Sequence, residues 1–406
     1  MSSEIVTVAG LGADGWPGLS ALSREAIADA AVIIGAPRHL ALLPDTVTGR
    51  RVPLPSPLLP ALGDLIAEQS AAGAALVVLA SGDPMFFGIG ATLARLLGPA
   101  RLRVLPHPSS VSIAAARLGW PLDDIDVVSL VGRPRELLHP LLQPGRRVLV
   151  LTARETAAAE VRELLDARGF GASPVTVLAD LGGPDERVAP VTEPVPGPHS
   201  RLAVIAVECR ADPAAAPLPR TPGLPDDAFE HDGQVTKREL RALALAALAP
   251  VPGQLLWDVG AGSGSVGIEW MRVHPASRAV AVEPRADRRE RIARNAAALG
   301  VPGLTVVAGA APGALAGLPA PDAVFIGGGV TADGVMAACW DALRPGGRLA
   351  ANAVTLEGQA VLADWRQRLG GTLTRIGVER ASRLGAFTAW RPALPVVQWS
   401  TQKETQ

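Results

Sequence analysis

Tyrosine is absent from this 406-residue chain, which removes the phenolic acid–base group on which many short-chain dehydrogenases depend. Cysteine is nearly absent. Cys209 and Cys339 are too few for an all-cysteine structural zinc site or a cysteine-ligated iron–sulfur cluster, and radical chemistry driven by such a cluster goes with them. The six histidines, His39, His107, His139, His199, His231 and His274, include no pair one helical turn apart, so no histidine metal site is expected. An excess of either charge is also missing. Thirty-eight basic residues face 39 acidic ones, with no long run of one sign, whereas a nucleic-acid binder carries a basic stripe. No apolar run reaches the roughly 20 residues that span a bilayer. The opening "MSSEIVTVAG" lacks the charged and apolar regions of a secretory signal. The expectation is a soluble cytoplasmic protein that uses no metal and binds neither nucleic acid nor membrane.

What is present is apolar and periodic. Hydrophobic residues make up 48% of the chain, enough for more than one core. Strand-like runs ("EIVTVAG", "AVIIG", "AALVVLA", "LRVLP", "DVVSL", "RRVLVLT", "SPVTVLA", "RLAVIAVE") alternate with helical patterns such as Leu19–Ala30, Leu58–Ala71 and Glu155–Arg168. The alternation predicts α/β architecture with mostly parallel sheets. It breaks at "RADPAAAPLPRTPGLPDD", Arg210 to Asp227, a Pro/Ala-rich stretch without period that reads as a linker. It then restarts, with strands near Leu255–Val259, Ala279–Glu283, Leu304–Ala308, Ala323–Ile326 and Arg348–Ala353. The expected division is a first domain over 1–209, a linker over 210–228 and a second domain over 229–406. The halves share no repeat, so two different folds are expected.

The most informative stretch is "WDVGAGSGSVGIEW", Trp257 to Trp270. A short apolar strand runs into Gly260, Ala261, Gly262, Ser263 and Gly264, then into a helical pattern. Glycines let a backbone turn sharply and approach a ligand closely, and the helix start offers free N–H groups. The next strand ends in Glu283, whose carboxylate suits ribose hydroxyls. Two ligands fit. Gly262, Gly264 and Gly267 match G-x-G-x-x-G, the dinucleotide pattern. Against it, Asp258 precedes the turn, where an acid suits an ammonium group better than a pyrophosphate. "TRIGVERASR" and "GAFTAWRP" read as a hairpin closing the sheet, as in seven-stranded Rossmann-like methyltransferases. S-adenosylmethionine is favoured.

"DGQVTKREL" (Asp232–Leu240), "VVAGAAPGAL" (Val306–Leu315), "DAVFIGGG" (Asp322–Gly329) and "PGGRLAANAVTLE" (Pro345–Glu357) occur in order, and together they resemble the decarboxylating precorrin methyltransferases. The resemblance implies that Thr236, Gly260–Gly264, Glu283 and Ala311 line the S-adenosylmethionine site. Relatives often carry an acid where Ala310 stands. "FIGGG" occupies the place of the Asn/Asp-Pro-Pro-Tyr motif of nucleic-acid methyltransferases, and Gly327–Gly329 leave room for something broad and flat.

The first half has three such segments: "VAGLGADG" (Val8–Gly15), "SGDPMFFGIG" (Ser81–Gly90) and "HPSSVSIAAARLGWP" (His107–Pro121), the last with Ser109 or Ser110 as helix N-cap. With "VVSLVGRP", "VLTARETAAAEVRELLDARGF" and "LADLGGPDERV", they resemble the tetrapyrrole (corrin/porphyrin) methylase family, which implies a two-lobed α/β fold with cofactor and substrate in the cleft. Gly82, Asp83, Pro84, Ser110 and Thr152 would then sit near S-adenosylmethionine, with Gly10, Gly12 and Asp14 toward the tetrapyrrole. Relatives tend to have His at Val131.

A tetrapyrrole methylase fused ahead of a decarboxylating precorrin methyltransferase resembles the bifunctional C-methyltransferases of cobalamin biosynthesis. The reaction implied consumes precorrin-6B and two S-adenosylmethionine. It gives precorrin-8X, carbon dioxide and two S-adenosylhomocysteine. A substrate rich in carboxylates calls for arginine forks. The candidates are Arg133, Arg135 and Arg154 in the first half, and Lys237, Arg238, Arg241 and Arg383 in the second. Asn352, at a strand end, could orient the ring, and Trp257 and Trp270 read as core. A homo-oligomer is expected. The rivals are an NAD-dependent oxidoreductase, an RNA methyltransferase, and a chain in which one domain is inactive.

Overall fold

The computed structural model describes residues 5–70, 75–191, 200 and 202–405. The ends of four predicted elements (Glu4, Ala71, Ala74 and Arg201) and His199 lie outside the described residues. Two compact units emerge: residues 1–135 with 144–215, and residues 136–143 with 216–406. The Pro/Ala-rich segment has no regular structure before Asp226–Ala228, and from Ala216 onward it is part of the second unit.

The first unit holds two five-stranded sheets. One contains β1 (Val6–Leu11), β2 (Val32–Gly35), β3 (Arg50–Pro53), β4 (Leu76–Ser81) and β5 (Leu102–Leu105), all parallel, in the order β3-β2-β4-β1-β5. β1 and β4 read as unbroken apolar runs because both faces are covered by helices, leaving one cluster around Leu11, Ile27 and Leu79 and another around Val8, Ile66 and Val78. The other sheet contains β6 (Ile125–Ser129), β7 (Arg147–Thr152), β8 (Val175–Ala179), β9 (Arg187–Pro190) and β10 (Ala203–Glu208), in the order β6-β7-β10-β8-β9. It alone of the three large sheets departs from the mostly parallel pattern expected. The helix Ala157–Ala167 carries β7 over to β8 but leaves a slot between them. β10 fills that slot antiparallel to both, and β9 adds antiparallel at the edge.

The second unit is built on a seven-stranded sheet. Its strands are β11 (Leu255–Val259), β12 (Arg278–Glu283), β13 (Thr305–Ala308), β14 (Ala323–Ile326), β15 (Arg348–Ala353), β16 (Thr372–Ile376) and, after the hairpin β17 (Glu379–Leu384)–β18 (Phe387–Pro392), β19 (Val396–Gln402). The order β13-β12-β11-β14-β15-β19-β16 is parallel except for β19. Alternation along the strands sorts the core into two clusters. Leu256, Ala281, Phe325 and Ala350 pack with Ile268 and Ile292 on one face. Trp257, Val282, Val324 and Ala351 pack with Cys339 and Leu362 on the other.

The hairpin read from the chain end needs correcting. β17 and β18 pair only with each other and stand outside the main sheet, with Phe387 and Trp390 largely exposed. The sheet is closed by β16 and by β19, "VVQWSTQ", whose Trp399 is fully buried. The sequence pattern of β17–β18 was strand-like, but its apolar residues find no core face.

Candidate active sites

In the second unit the parallel strands deliver their carboxyl ends to one edge, and the order reverses between β11 and β14, where a crevice forms in sheets of this kind. Asp258, Glu283, Gly327 and Asn352 each stand two residues after a member of the Leu256–Phe325 cluster, so all four belong to the same face. Gly260, Gly262 and Gly264 adopt φ of +69°, +60° and +76°, a region that side-chain-bearing residues avoid. A Cβ on Gly260 would meet Gly328 backbone atoms at 2.8 Å, and one on Gly264 would meet the Ile292 side chain at 2.8 Å. Gly260 is therefore what lets the two loops abut, since a Cβ on Gly328 would meet Gly260 only at 3.8 Å. The helix Ser265–Val273 starts at Gly264 with no side chain capping its N–H groups.

Two buried acids hold this loop. Asp258 accepts from Gly267 N–H at 2.9 Å. Glu283 accepts from Gly262 N–H at 2.9 Å and from Arg285 N–H at 3.1 Å. Burial pushes the Asp258 carboxyl up to about 7; the Gly267 N–H opposes the shift and Glu283 adds to it. Asn295, on the helix Ala286–Ala298, donates to Ser263 O and Glu230 O and accepts from Glu230 N–H. It thus ties the loop to the segment that leads to Thr236. That segment crosses the loop, with Gln234 O 3.3 Å from where a Gly262 Cβ would stand. Asp232 is held in it by Arg288 at 2.9 Å, which keeps its carboxyl well below the usual range. Ser263 is buried, and Ala261 borders the Leu256 cluster. Ala311 follows β13 at the margin of the Trp257 cluster.

Other candidates fare differently. Arg241 is a correction. It is fully buried, donates to Glu269 at 2.5 Å and to Asp226, Thr236 O and Leu224 O, and lies over the Phe229 ring, so no substrate carboxylate reaches it. Glu269 also accepts from Gly223 and Leu224 N–H, anchoring the incoming chain. Lys237 is half-exposed and 3.9 Å from Asp226; Arg383 is on the exposed hairpin. Asn352 accepts from Gln398 on the neighbouring strand at 3.1 Å. Trp257 and Trp270 are core.

In the first unit, the turns after β1, β4 and β5 converge. Gly82 N–H donates to Leu11 O, and a Cβ on Gly10 would strike Gly82 O and His107 backbone N. Gly82 itself has φ +53° and faces the Pro108–Ser109 backbone. Asp83 accepts from Met85 N–H, and Pro84 closes against Gly88 and Gly90. Ser109 is the N-cap, accepting from Ser112 N–H at 3.1 Å, so Ser110 opens the helix Ser110–Leu118. Asp14 lies 3.3 Å from His107, one of the six scattered histidines, whose sequence position alone gives no sign of this contact. Thr152 ends β7 in the other sheet, where its hydroxyl accepts from Arg154 N–H. Arg133 stacks over Phe87, whereas Arg135 and Arg154 pair with Glu163 and Glu160.

Residues 6–195 match the tetrapyrrole (corrin/porphyrin) methylases, and residues 227–403 match a precorrin methyltransferase domain. A precorrin-6Y C(5,15)-methyltransferase [decarboxylating] from Sinorhizobium sp is 52% identical over 99% of this chain and 97% of its own. One of the same name from Mycobacterium tuberculosis is 47% identical over 98% of this chain and all of its own. Among solved structures, the C-terminal domain of precorrin-6Y C5,15-methyltransferase from Rhodobacter capsulatus is 49% identical. It covers 46% of this chain and 100% of that one, with a TM-score of 0.44.

Proposed function

The chain belongs to the family of decarboxylating precorrin-6Y C(5,15)-methyltransferases, and from that premise we propose how its two units share the work. The enzyme is an S-adenosylmethionine-dependent C-methyltransferase that methylates and decarboxylates a precorrin. In this reading precorrin-6B is methylated at positions 5 and 15 and loses the ring C acetate carboxyl, giving precorrin-8X. The first unit, a tetrapyrrole methylase fold, serves position 5. The second, a Rossmann-like methyltransferase fold, serves position 15 and the decarboxylation. The observation that carries this is the pair of family matches, which divide one chain between them without overlap.

The residues of the second unit fit S-adenosylmethionine. Three glycines at positive φ shape the loop, Glu283 stands at the end of β12 for the ribose, and the segment leading to Thr236 passes over the loop at Gln234. Bound there, the cofactor supplies a methyl group on a sulfonium, a good leaving group. In the first unit, Gly82, Asp83, Pro84, Ser110 and Thr152 are the proposed cofactor contacts, and Gly10, Gly12 and Asp14 the tetrapyrrole side. The protein's task in both units is to align, exclude water and recognise carboxylates, with Arg133, Lys237 and Asn352 as substrate contacts. Two cofactor sites, a cytoplasmic location, self-association and independence from nucleic acid belong to the same reading. Among the described residues no helix is long and apolar enough to cross a membrane.

The test is direct. The full chain is incubated with precorrin-6B and S-adenosylmethionine, and the product is weighed. Two added methyls and a lost carbon dioxide are expected, with two S-adenosylhomocysteine bound per chain by isothermal titration. An unchanged tetrapyrrole would overturn the substrate assignment.

A further inference from the structure

The first unit contains an open cavity of about 390 Å³ lined by Asp14, His107, Pro108, Ser112, Arg117 and Gly182 among others. His107 is buried in its wall. Its Nδ1 lies 3.3 Å from the Pro108 carbonyl oxygen and its Nε2 lies 3.3 Å from Asp14 Oδ2. Both ring nitrogens therefore face oxygen acceptors, so the ring is oriented to present a proton to the carboxylate. The other carboxylate oxygen, Asp14 Oδ1, is enclosed and has no hydrogen-bond partner. Gly12 and Gly18 pack against the carboxylate: a Cβ on Gly12 would stand 2.5 Å from Oδ1 and 2.7 Å from His107 Cε1, and one on Gly18 would stand 2.6 Å from Oδ1.

The remaining charges on the cavity are spoken for. Arg117 from the helix Ser110–Leu118 donates to Glu186 at 2.5 and 3.1 Å, and Glu186 also accepts from Gly182 N–H at 2.7 Å. That contact raises the Arg117 pKa and lowers that of Glu186. Asp14 and His107 are thus the pair whose protons the cavity leaves to the chemistry.

We propose that Asp14 takes up the proton displaced in the first unit's methylation and that His107 is the positioning residue that sets its carboxylate. The proposal rests on the reading that this unit methylates a ring-bridging carbon. Replacing the hydrogen on such a carbon by methyl forms one carbon–carbon bond. It breaks one carbon–sulfur and one carbon–hydrogen bond, with the sulfur keeping the electron pair of the former. The C–H electron pair returns to the conjugated ring, and one proton must leave. After methyl addition the ring is cationic and the proton acidic, so a carboxylate suffices as acceptor, and solvent removes the proton from it.

The second unit provides an internal control, because its methylation and decarboxylation are read from the same product mass. In the full chain, D14N is expected to lower the first unit's methylation about 100-fold or more. H107A is expected to cost of order 10- to 100-fold through a misplaced acceptor. Carbon dioxide loss and the other methylation stay within twofold. H107Q restores a donor toward Asp14 but cannot titrate, so it is expected to recover part of the rate while changing the pH profile. A role in folding alone would not produce that split. Independently of activity, the ring resonances of His107 in ¹⁵N-histidine-labelled protein are expected to move in D14N. Wild-type rate and pH profile in H107A would overturn the proposal, as would a His107 resonance indifferent to D14N. If the wild-type chain itself adds fewer than two methyls, the assignment of function fails instead, and the resonance experiment still decides whether the pair exists.

Discussion

The two units meet the same requirement, a close backbone turn at the ends of parallel strands, with different materials. In the second unit the site is made of backbone. Three glycines at positive φ shape the loop, and the acids beneath it, Glu283 and Asp258, are buried and accept from N–H groups of the loop and of the helix that follows. In the first unit glycine also makes room for side chains. Gly12 clears Asp14 and His107, which face a cavity. Ion pairs follow the same divide. Arg241–Glu269 in the second unit is sealed in the core, whereas Arg117–Glu186 in the first is at a solvated rim. The second unit uses its polar groups to fix shape, and the first leaves some of them free for chemistry.

The sharpest way to break that contrast is E269A. It removes the buried carboxylate from a fully buried guanidinium, leaving it Asp226 and two carbonyls, and frees the N–H groups of Gly223 and Leu224. Loss of one partner of a buried pair costs about 3–5 kcal/mol. Guanidinium denaturation followed by tryptophan fluorescence is expected to show the second unit unfolding early, with the first unaffected.

That pair also marks the limit of what the sequence discloses. The strand–glycine loop–helix unit, Glu283 and most strands were legible because they are local patterns with a fixed period. Arg241 looked like a carboxylate fork because its type fits that role, and nothing local tells that Glu269, 28 residues on, closes over it. His107 was one of six scattered histidines until β1 and β5 paired side by side and brought it to Asp14. Asn295 was hidden for the same reason. β16 was read as one strand with β17, and β19 was missed, because the hairpin β17–β18 has the stronger strand pattern, yet it is β19 that meets a core face at Val397 and Trp399.

A pair of glycine substitutions sharpens the comparison next. G260A places a Cβ at φ +69° and 2.8 Å from the Gly328 backbone, which has no side chain to move aside. The combined backbone strain and overpacking come to roughly 2–4 kcal/mol. Titration is expected to show one S-adenosylhomocysteine lost per chain. G12A meets movable side-chain atoms of Asp14 and His107, so it is expected to spare stability and cofactor binding while slowing the first unit's methylation.

Asp258 predicts a pH signature for the second unit. Its folded pKa, about 7, lies above its ordinary 3.8, so the folded state holds the proton more tightly than the unfolded one. The contribution is complete below about pH 4 and is lost as pH rises toward 7. At up to about 1.4 kcal/mol per pH unit, stability is expected to fall by roughly 2 kcal/mol between pH 5 and pH 7. D258N, which can still accept from Gly267 N–H, is expected to flatten that decline in denaturation curves taken across the range.

Glu186 in the first unit has the opposite sign and the smallest effect. The Arg117 guanidinium and the Gly182 N–H hold its carboxyl below the ordinary 4.5, so its contribution is present above that pH and fades as pH falls through the folded value. The pair is solvated, and exposed pairs contribute little to stability. E186Q is therefore expected to leave the Tm at pH 7 unchanged within repeatability and to soften only the acid limb. It frees the Arg117 guanidinium at the cavity rim, so the KM for the tetrapyrrole is expected to move while kcat for carbon dioxide loss does not. A Tm drop at neutral pH comparable to that of E269A would show that the rim pair fixes shape after all, and the contrast between the two units would fail there.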